Sequence, residues 1–540
     1  MSKVMSLKTI GLLVFALLLF TVYKFLWPVI TMKAEQVVDH IGLTSNERAA
    51  NGPLPGDVGL YQKELECSQA LSTPGYYSSL NGAEISDSER SGMFPCATFT
   101  GSFDGENQVY AWRSEDAYEG ATYINNRKPG ELYLVGGDFP PAEGDLPPGP
   151  YIAKADATTG KQIWRTYLDN GNASKHFIAN GNLNILPNGN IVFAWANQIV
   201  LMDGDSGLIL KHNMLPTGET PTNDANFKHL TIAPDGTLIL KDQTRPAGSK
   251  LQGTTGIIKA IIAGMKQTNS IMLAVDPDTL EVLDQLLLPE PASSPHIVTM
   301  YGDKIAIYIG MNESARRYFW DPAEKKLSAD DSWVVYPMQE GQTTATAPTV
   351  IGDWLAFQLN GAGSKTVASS ITVIHRDDAS RNSIIFPFGP LEEGEWSFAP
   401  PKAGADPENN MIYSADMGIG KVAGIRLDQE TGKTTVAFVL DNMTNTFQPV
   451  IGPKDRRVLV LTNIRKNVAM EPAMLALFSK NYQEQVTWHD AKTGRLLAES
   501  DFFEPLTINS LVAPGFGGRV YFPTGKGYIT LQVNPKFPEL

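Results

Sequence analysis

Histidine is scarce in this chain, with seven in 540 residues, yet two of the seven recur in the same setting. His229 and His296 each open a short apolar run that a glycine turn ends, Asp235-Gly236 in one case and Gly302-Asp303 in the other. His176 stands six residues before Asn182, which opens a similar run closed by Asn188-Gly189, and Lys175 and Lys228 each directly precede a histidine. Imidazoles and ammonium groups gathered at one mouth suit an anion, a metal or proton transfer. Aligning further runs on their turns puts Thr346, Trp396, Gln448 and Asn509 at corresponding starts. Glu395, beside Trp396 in GEWSF, adds a carboxylate to an aromatic platform. His229 and His296 are the catalytic candidates. His176, Lys228, Asn182, Thr346, Glu395, Trp396, Gln448 and Asn509 are the ligand-binding ones. A metal needs three convergent ligands; His176, His229 and His296 could supply them, although no spacing rule requires it. A slip of one residue in a strand's register would turn any of these side chains to the other face.

These positions depend on a repeat. From about residue 105 to the end, an apolar strand runs into Asp, then two or three residues, often Thr-Gly, then another strand. The copies start at Asp156, Asp203, Asp276, Asp321, Asp377, Asp428 and Asp490, with a last one near Asn534. Asp starts such turns because its carboxylate can bond backbone N–H groups ahead of it, and Gly accepts the positive φ that follows. Each interval holds four short alternating strands. A four-stranded sheet cannot bury both faces alone, but a ring of such sheets can. Eight copies therefore predict an all-β, eight-bladed β-propeller over 105–540.

The copy at Asp156, DATTGKQIW, carries Asp156, Thr159, Gly160 and Trp164. It resembles the tryptophan-docking motif of the quinoprotein-like (PQQ-type) propeller family. That resemblance implies an exported oxidoreductase with pyrroloquinoline quinone and calcium in the central funnel, calcium taking carboxylate and amide oxygens. Glu395 and Trp396 are then the candidates for a carboxylate and a stacking platform. The neighbouring-cysteine pair that many such dehydrogenases place against the quinone is absent, and without CxxCH no covalent c-type haem is expected. The segments 185–195 (ILPNGNIVFAW) and 232–242 (IAPDGTLILKD) look like the strand-turn-strand units of bacterial arylsulfotransferases. That likeness implies a funnel histidine, His229 or His296, as nucleophile. A third reading is a non-enzymatic scaffold or assembly factor that docks partners by loops and edges.

The remaining segments bear on location. After the short start 1–8, residues 9–32 read TIGLLVFALLLFTVYKFLWPVITM, long enough to cross a ~30 Å hydrocarbon layer. With no small-x-small cleavage site behind it, it is expected to be a retained single-pass anchor holding the body on the periplasmic or exoplasmic side of the cell membrane, a cleaved signal peptide being the alternative. Residues 33–104 are expected to form a linker and cap. They contain the only cysteines, Cys67 and Cys96, for which one disulfide is the expectation and two buried thiols the alternative. Apolar residues at helical spacing in 255–267 and 471–480 suggest two helices that flank the funnel as lids, rest on the membrane or pack on neighbouring blades. The net charge of −14 argues against a nucleic-acid surface.

Overall fold

In the computed structural model, the described residues are 50–137, 150–168, 182–246, 263–343, 346–399, 402–444, 446, 449–467, 481–506 and 511–537. The expected anchor at 9–32 lies outside them, as do both expected insert helices apart from the end of the first. Among the described residues, no helix is long and apolar enough to cross a membrane.

The strands form eight separate sheets, each built on four antiparallel strands, one of them with an added fifth. Seven are contiguous in sequence: blade 1 (123–167), blade 2 (182–214), blade 3 (225–287), blade 4 (296–335), blade 5 (349–385), blade 6 (404–441) and blade 7 (450–499). Blade 8 takes its three inner strands from 513–533 and its outermost strand, Val109–Arg113, from ahead of blade 1. Val109 lies opposite Val533 and Arg113 opposite Ile529, so the two ends of the repeat region close the ring.

Turn chemistry explains why the repeats fold alike. Asp156 Oδ1 accepts hydrogen bonds from Thr158 N (3.0 Å), Thr159 N (2.7 Å) and Thr159 Oγ1 (2.8 Å), and Gly160 follows at φ +75°. Asp203, Asp276, Asp428 and Asp490 cap their turns in the same way. In blade 5 the capping residue is Asp378, one beyond the aspartate singled out from sequence, because its Oδ1 takes Ser380 N (3.0 Å). Blade 3 fills the left-handed position with Leu280 (φ 61°) and blade 4 with Lys325 (φ 49°), so a glycine favours this turn without being obligatory.

Successive blades lock together through these turns. The Trp164 ring of blade 1 lies flat over Gly207 in the turn of blade 2, and Thr166 Oγ1 donates to Gly207 O (2.7 Å). A Cβ on Gly207 would sit 2.6 Å from the indole. Gly207→Ala should therefore cost about 2 kcal/mol, from the left-handed φ of 73° and from displacement of Trp164. Thermal unfolding compared with Gly236→Ala, a turn glycine whose Cβ meets nothing within 4 Å, separates the two contributions.

The segment expected to cap the ring enters it instead. Helix α1 (Val58–Ala70) starts at Asp57, whose Oδ1 accepts Gly59 N (3.0 Å), and rests on blade 8, where Glu64 Oε2 takes Gly517 N (2.7 Å). The disulfide Cys67–Cys96 ties its last turn to residue 96, with 5.5 Å between the Cα atoms. Between them, residues 76–96 pass along the channel. Inner strands carry unpaired N–H and C=O groups on their channel edge, and these need partners. Residues 76–96 supply them: Tyr77 N to Ile185 O (2.8 Å), Asn126 N to Asn81 O (2.9 Å), Val298 N to Ser88 O (2.9 Å) and Val450 N to Gly92 O (2.8 Å). Tyr76 OH accepts Ile232 N (2.8 Å), and Ala405 N reaches Ser91 O (3.2 Å). Met93–Phe94 even joins blade 7 as a fifth strand, parallel to Val450–Ile451. Blades 1, 2, 3, 4, 6 and 7 are all bonded to this plug.

Candidate functional site

The two histidines are each buried in the inner strands of neighbouring blades 3 and 4 and not at an open mouth. His296 begins the inner strand of blade 4 (His296–Tyr301), as expected, and is 0% exposed. Its Nε2 meets Ile239 O at 3.1 Å, while its own carbonyl accepts Arg90 Nε (3.2 Å) from the plug. Burial, together with Arg90 and Lys241, holds its imidazole well below the usual pKa, so it is neutral. His229 does not begin its strand. It is the fifth residue of Ala225–Ile232, opposite Lys241, because the ladder is irregular between Asn226 and His229. It too is buried, and Lys241 donates its ammonium to Ala292 O.

The other expected positions divide. Asn182 starts blade 2 (Asn182–Ile185), and Lys228 lies in the strand of His229. Thr346 is buried ahead of blade 5, with its N–H on Gln358 O (2.9 Å). His176, Gln448 and Asn509 fall outside the described residues, so the three-histidine metal reading is left with two members. Among the described residues, no group of three or more His, Cys, Asp or Glu is placed to hold a metal ion. His375 and His489 are bound in their own turns, to Asp377 N (3.1 Å) and to Gly494 O (3.0 Å), as their place beside the repeat motif suggests.

The plug carries a cluster of charges that sequence reading missed. Within 84–90, Glu84 and Arg90 form a fully buried ion pair. Arg90 also donates to Leu230 O (3.2 Å). Asp87 accepts Ser91 N (3.0 Å), and Glu89, its pKa raised by burial, accepts the Thr299 hydroxyl. Facing them is Lys402, buried, with Nζ on Thr349 Oγ1. Burial is the largest influence on Lys402; Arg90 adds to it and Asp87 and Glu89 oppose it, leaving a pKa of about 7 against an ordinary 10.5. Between those values the unfolded chain holds a proton that the folded chain has lost. Stability should therefore rise with pH from about 7 to 10.5, by at most about 1.4 kcal/mol per unit. Urea unfolding across that range should show the slope, and Lys402→Met should flatten it.

Trp396 and Glu395 belong to the connecting segment from blade 5 to blade 6, ahead of the inner strand Gly404–Asp406, and so do not begin it. On the face where inner strands begin, they line a pocket of about 690 Å³ with Lys365 of blade 5, the turn Gly418–Gly420 of blade 6, Asp441, Asn442 and Met443 beyond it, and Asn463, Ile464 and Lys466 of blade 7. Asp416 fixes the floor. Its Oδ1 accepts Phe398 N (2.9 Å) and Gly418 N (3.1 Å), and its Oδ2 accepts the hydroxyls of Ser369 (2.7 Å) and Ser397. The Trp396 ring packs near Phe398 (6.3 Å between centroids), and Lys365 Nζ stands 5.3 Å over the indole. Glu395 and Trp396 thus line a pocket, though not at a strand start, while Lys365 and Asp416 give no signal in sequence: each is a lone charge in a loop or at a strand end.

No protein-family model matches the chain, and no curated protein matches its sequence. Solved structures do match its fold. The quinohemoprotein alcohol dehydrogenase ADHIIG from Pseudomonas putida HK5 is 9% identical at a TM-score of 0.52, over 91% of this chain and 84% of that one. The quinohemoprotein alcohol dehydrogenase from Comamonas testosteroni is 12% identical at 0.46, over 89% and 86%. BamB from Moraxella catarrhalis is 10% identical at 0.46, over 78% and 97%. At such identities the likeness is one of fold alone, a β-propeller of eight blades.

Proposed function

We propose that this chain is a membrane-tethered, exported propeller that works as a binding platform, using the face where its inner strands begin. The single observation that supports this is the plug: residues 76–96 occupy the channel and satisfy the inner edges of six blades. The apolar stretch 9–32 and the disulfide are consistent with export and tethering. By their place in the repeats, His176, Asn182, Gln448 and Asn509 would ring that face, and Lys228 would belong to its wall.

Pyrroloquinoline quinone and calcium do not fit the described channel. Residues 76–96 bond the inner edges of six blades, and the carboxylates of this segment are engaged: Glu84 by Arg90, Asp87 by Ser91 and Glu89 by Thr299. Transfer through His229 or His296 would likewise need a substrate to reach side chains only 3% and 0% exposed. Full-length protein in detergent micelles, incubated with quinone, should show no calcium-dependent change in melting temperature or absorbance and no alcohol-dependent dye reduction. A calcium-dependent rise in melting temperature with a new absorbance band would overturn this reading. Turnover of 4-nitrophenyl sulfate, lost in His296→Asn, would replace it with the transferase.

A further inference from the structure

We propose that the pocket between blades 5 and 7 binds a planar aromatic anion, its ring lying on Trp396 and its acid group held by Lys365 and Lys466. This goes beyond the platform reading, since the pocket stands apart from the plugged channel. Four observations carry it.

The volume, about 690 Å³, falls in the range of small-molecule sites. The lining is divided, with Trp396, Ile419, Met443 and Ile464 supplying apolar surface and charged groups standing at the rim. The two ammonium groups come from opposite neighbours: Lys365 from blade 5 and Lys466 from blade 7, on either side of the blade 6 turn Gly418–Gly420. Lys365 has no carboxylate within ion-pair reach among the described residues; its contact is the indole face. A ring sliding over Trp396 would keep the stacking and gain a partner for that ammonium.

The two carboxylates of the lining are otherwise occupied or offset. Glu395 Oε2 accepts Glu392 N (2.8 Å), and Asp441 lies opposite Lys421 in the blade 6 ladder. The site is also built in advance. Asp416 clamps the backbone on both sides of the pocket floor, and a Cβ on Gly363 would come 2.5 Å from the Trp396 indole nitrogen. The indole therefore has one seat, and that seat needs a glycine beneath it.

Isothermal titration of the full-length protein in detergent micelles tests this, with 2-naphthoate as the probe and 2-naphthalenemethanol, 1-naphthylmethylammonium and cyclohexanecarboxylate as comparisons. Saturable naphthoate binding is expected, at least tenfold tighter than any comparison. Lys365→Met should weaken it about tenfold, and Trp396→Leu should do the same while leaving the melting temperature within a few degrees. Trp396→Phe, which keeps a ring, should recover most of the affinity, and it is the variant to read if the leucine variant does not fold. No saturable naphthoate binding at millimolar concentration, a preference for the ammonium probe, or affinity unchanged in Lys365→Met would each overturn the proposal. Pyrroloquinoline quinone and 4-nitrophenyl sulfate are themselves planar aromatic anions that this pocket could take, but the assays above turn on calcium dependence and turnover, which it does not supply, so the two conclusions can fail separately.

Discussion

Replacing Arg90 with methionine should lower the free energy of unfolding by about 3–5 kcal/mol, the loss that follows when one partner leaves a buried ion pair. Arg90 is 1% exposed, and it serves three acceptors at once: Glu84, His296 O and Leu230 O. Without the guanidinium, Glu84 is a buried charge with its main partner gone and two carbonyls lose a donor. Equilibrium urea unfolding reads the loss directly. The double variant Glu84→Leu with Arg90→Met should recover most of it, because an apolar pair of similar volume avoids the desolvation that the ion pair incurs. A single variant within about 1 kcal/mol of the parent would mean that the plug contributes little to the folded ring.

Removing the disulfide should come next in size. The bond closes a loop with a sequence separation of 29, for which chain entropy alone gives about 3–4 kcal/mol. Cys67→Ser with Cys96→Ser should therefore unfold at markedly lower urea. Local consequences should exceed global ones. Residues 71–83, from the end of α1 into the channel, line a cavity of about 240 Å³ next to the bond, with the end of α1 on one side and 93–96 on the other. Loss of the bond frees the wall that contains Cys96. Limited proteolysis should cut the double variant within 71–83 before the blades are attacked. Cleavage first in a blade turn would show that the bond stabilises the ring and not the plug.

The architecture was legible in sequence because it rests on local rules. An aspartate that gathers N–H groups ahead of it, followed by a residue at positive φ, writes the same turn wherever it occurs, and DATTG, DGDSG, DQETG and DAKTG all did so. Trp164 announced its dock on the next blade for the same reason. The site was legible only in part. His296 was placed at a strand start, but burial is set by what fills the channel, and that filling comes from a segment some two hundred residues upstream. Nothing in NGAEISDSERSG, at 81–92, says that it pairs with edges from six sheets, since those bonds are made by its backbone as much as by its side chains. His229 lies inside its strand and not at the start, which the sequence does not show because a ladder irregularity leaves no mark in composition. The position of Trp396 cannot be read by aligning turns, because the connection holding it is long.

The way the ring closes sets a timetable for making this protein. Val109–Arg113 leaves the ribosome long before Gly527–Val533, its partner, exists. At ~5–20 residues per second, roughly 20–80 s separate the two. Throughout that interval the first-made edge is bare, blade 8 is incomplete and the central thread must already be lying where later blades will surround it. A nascent chain of this kind offers holding chaperones a long window. Swapping of the closing strand between two unfinished molecules is its natural accident.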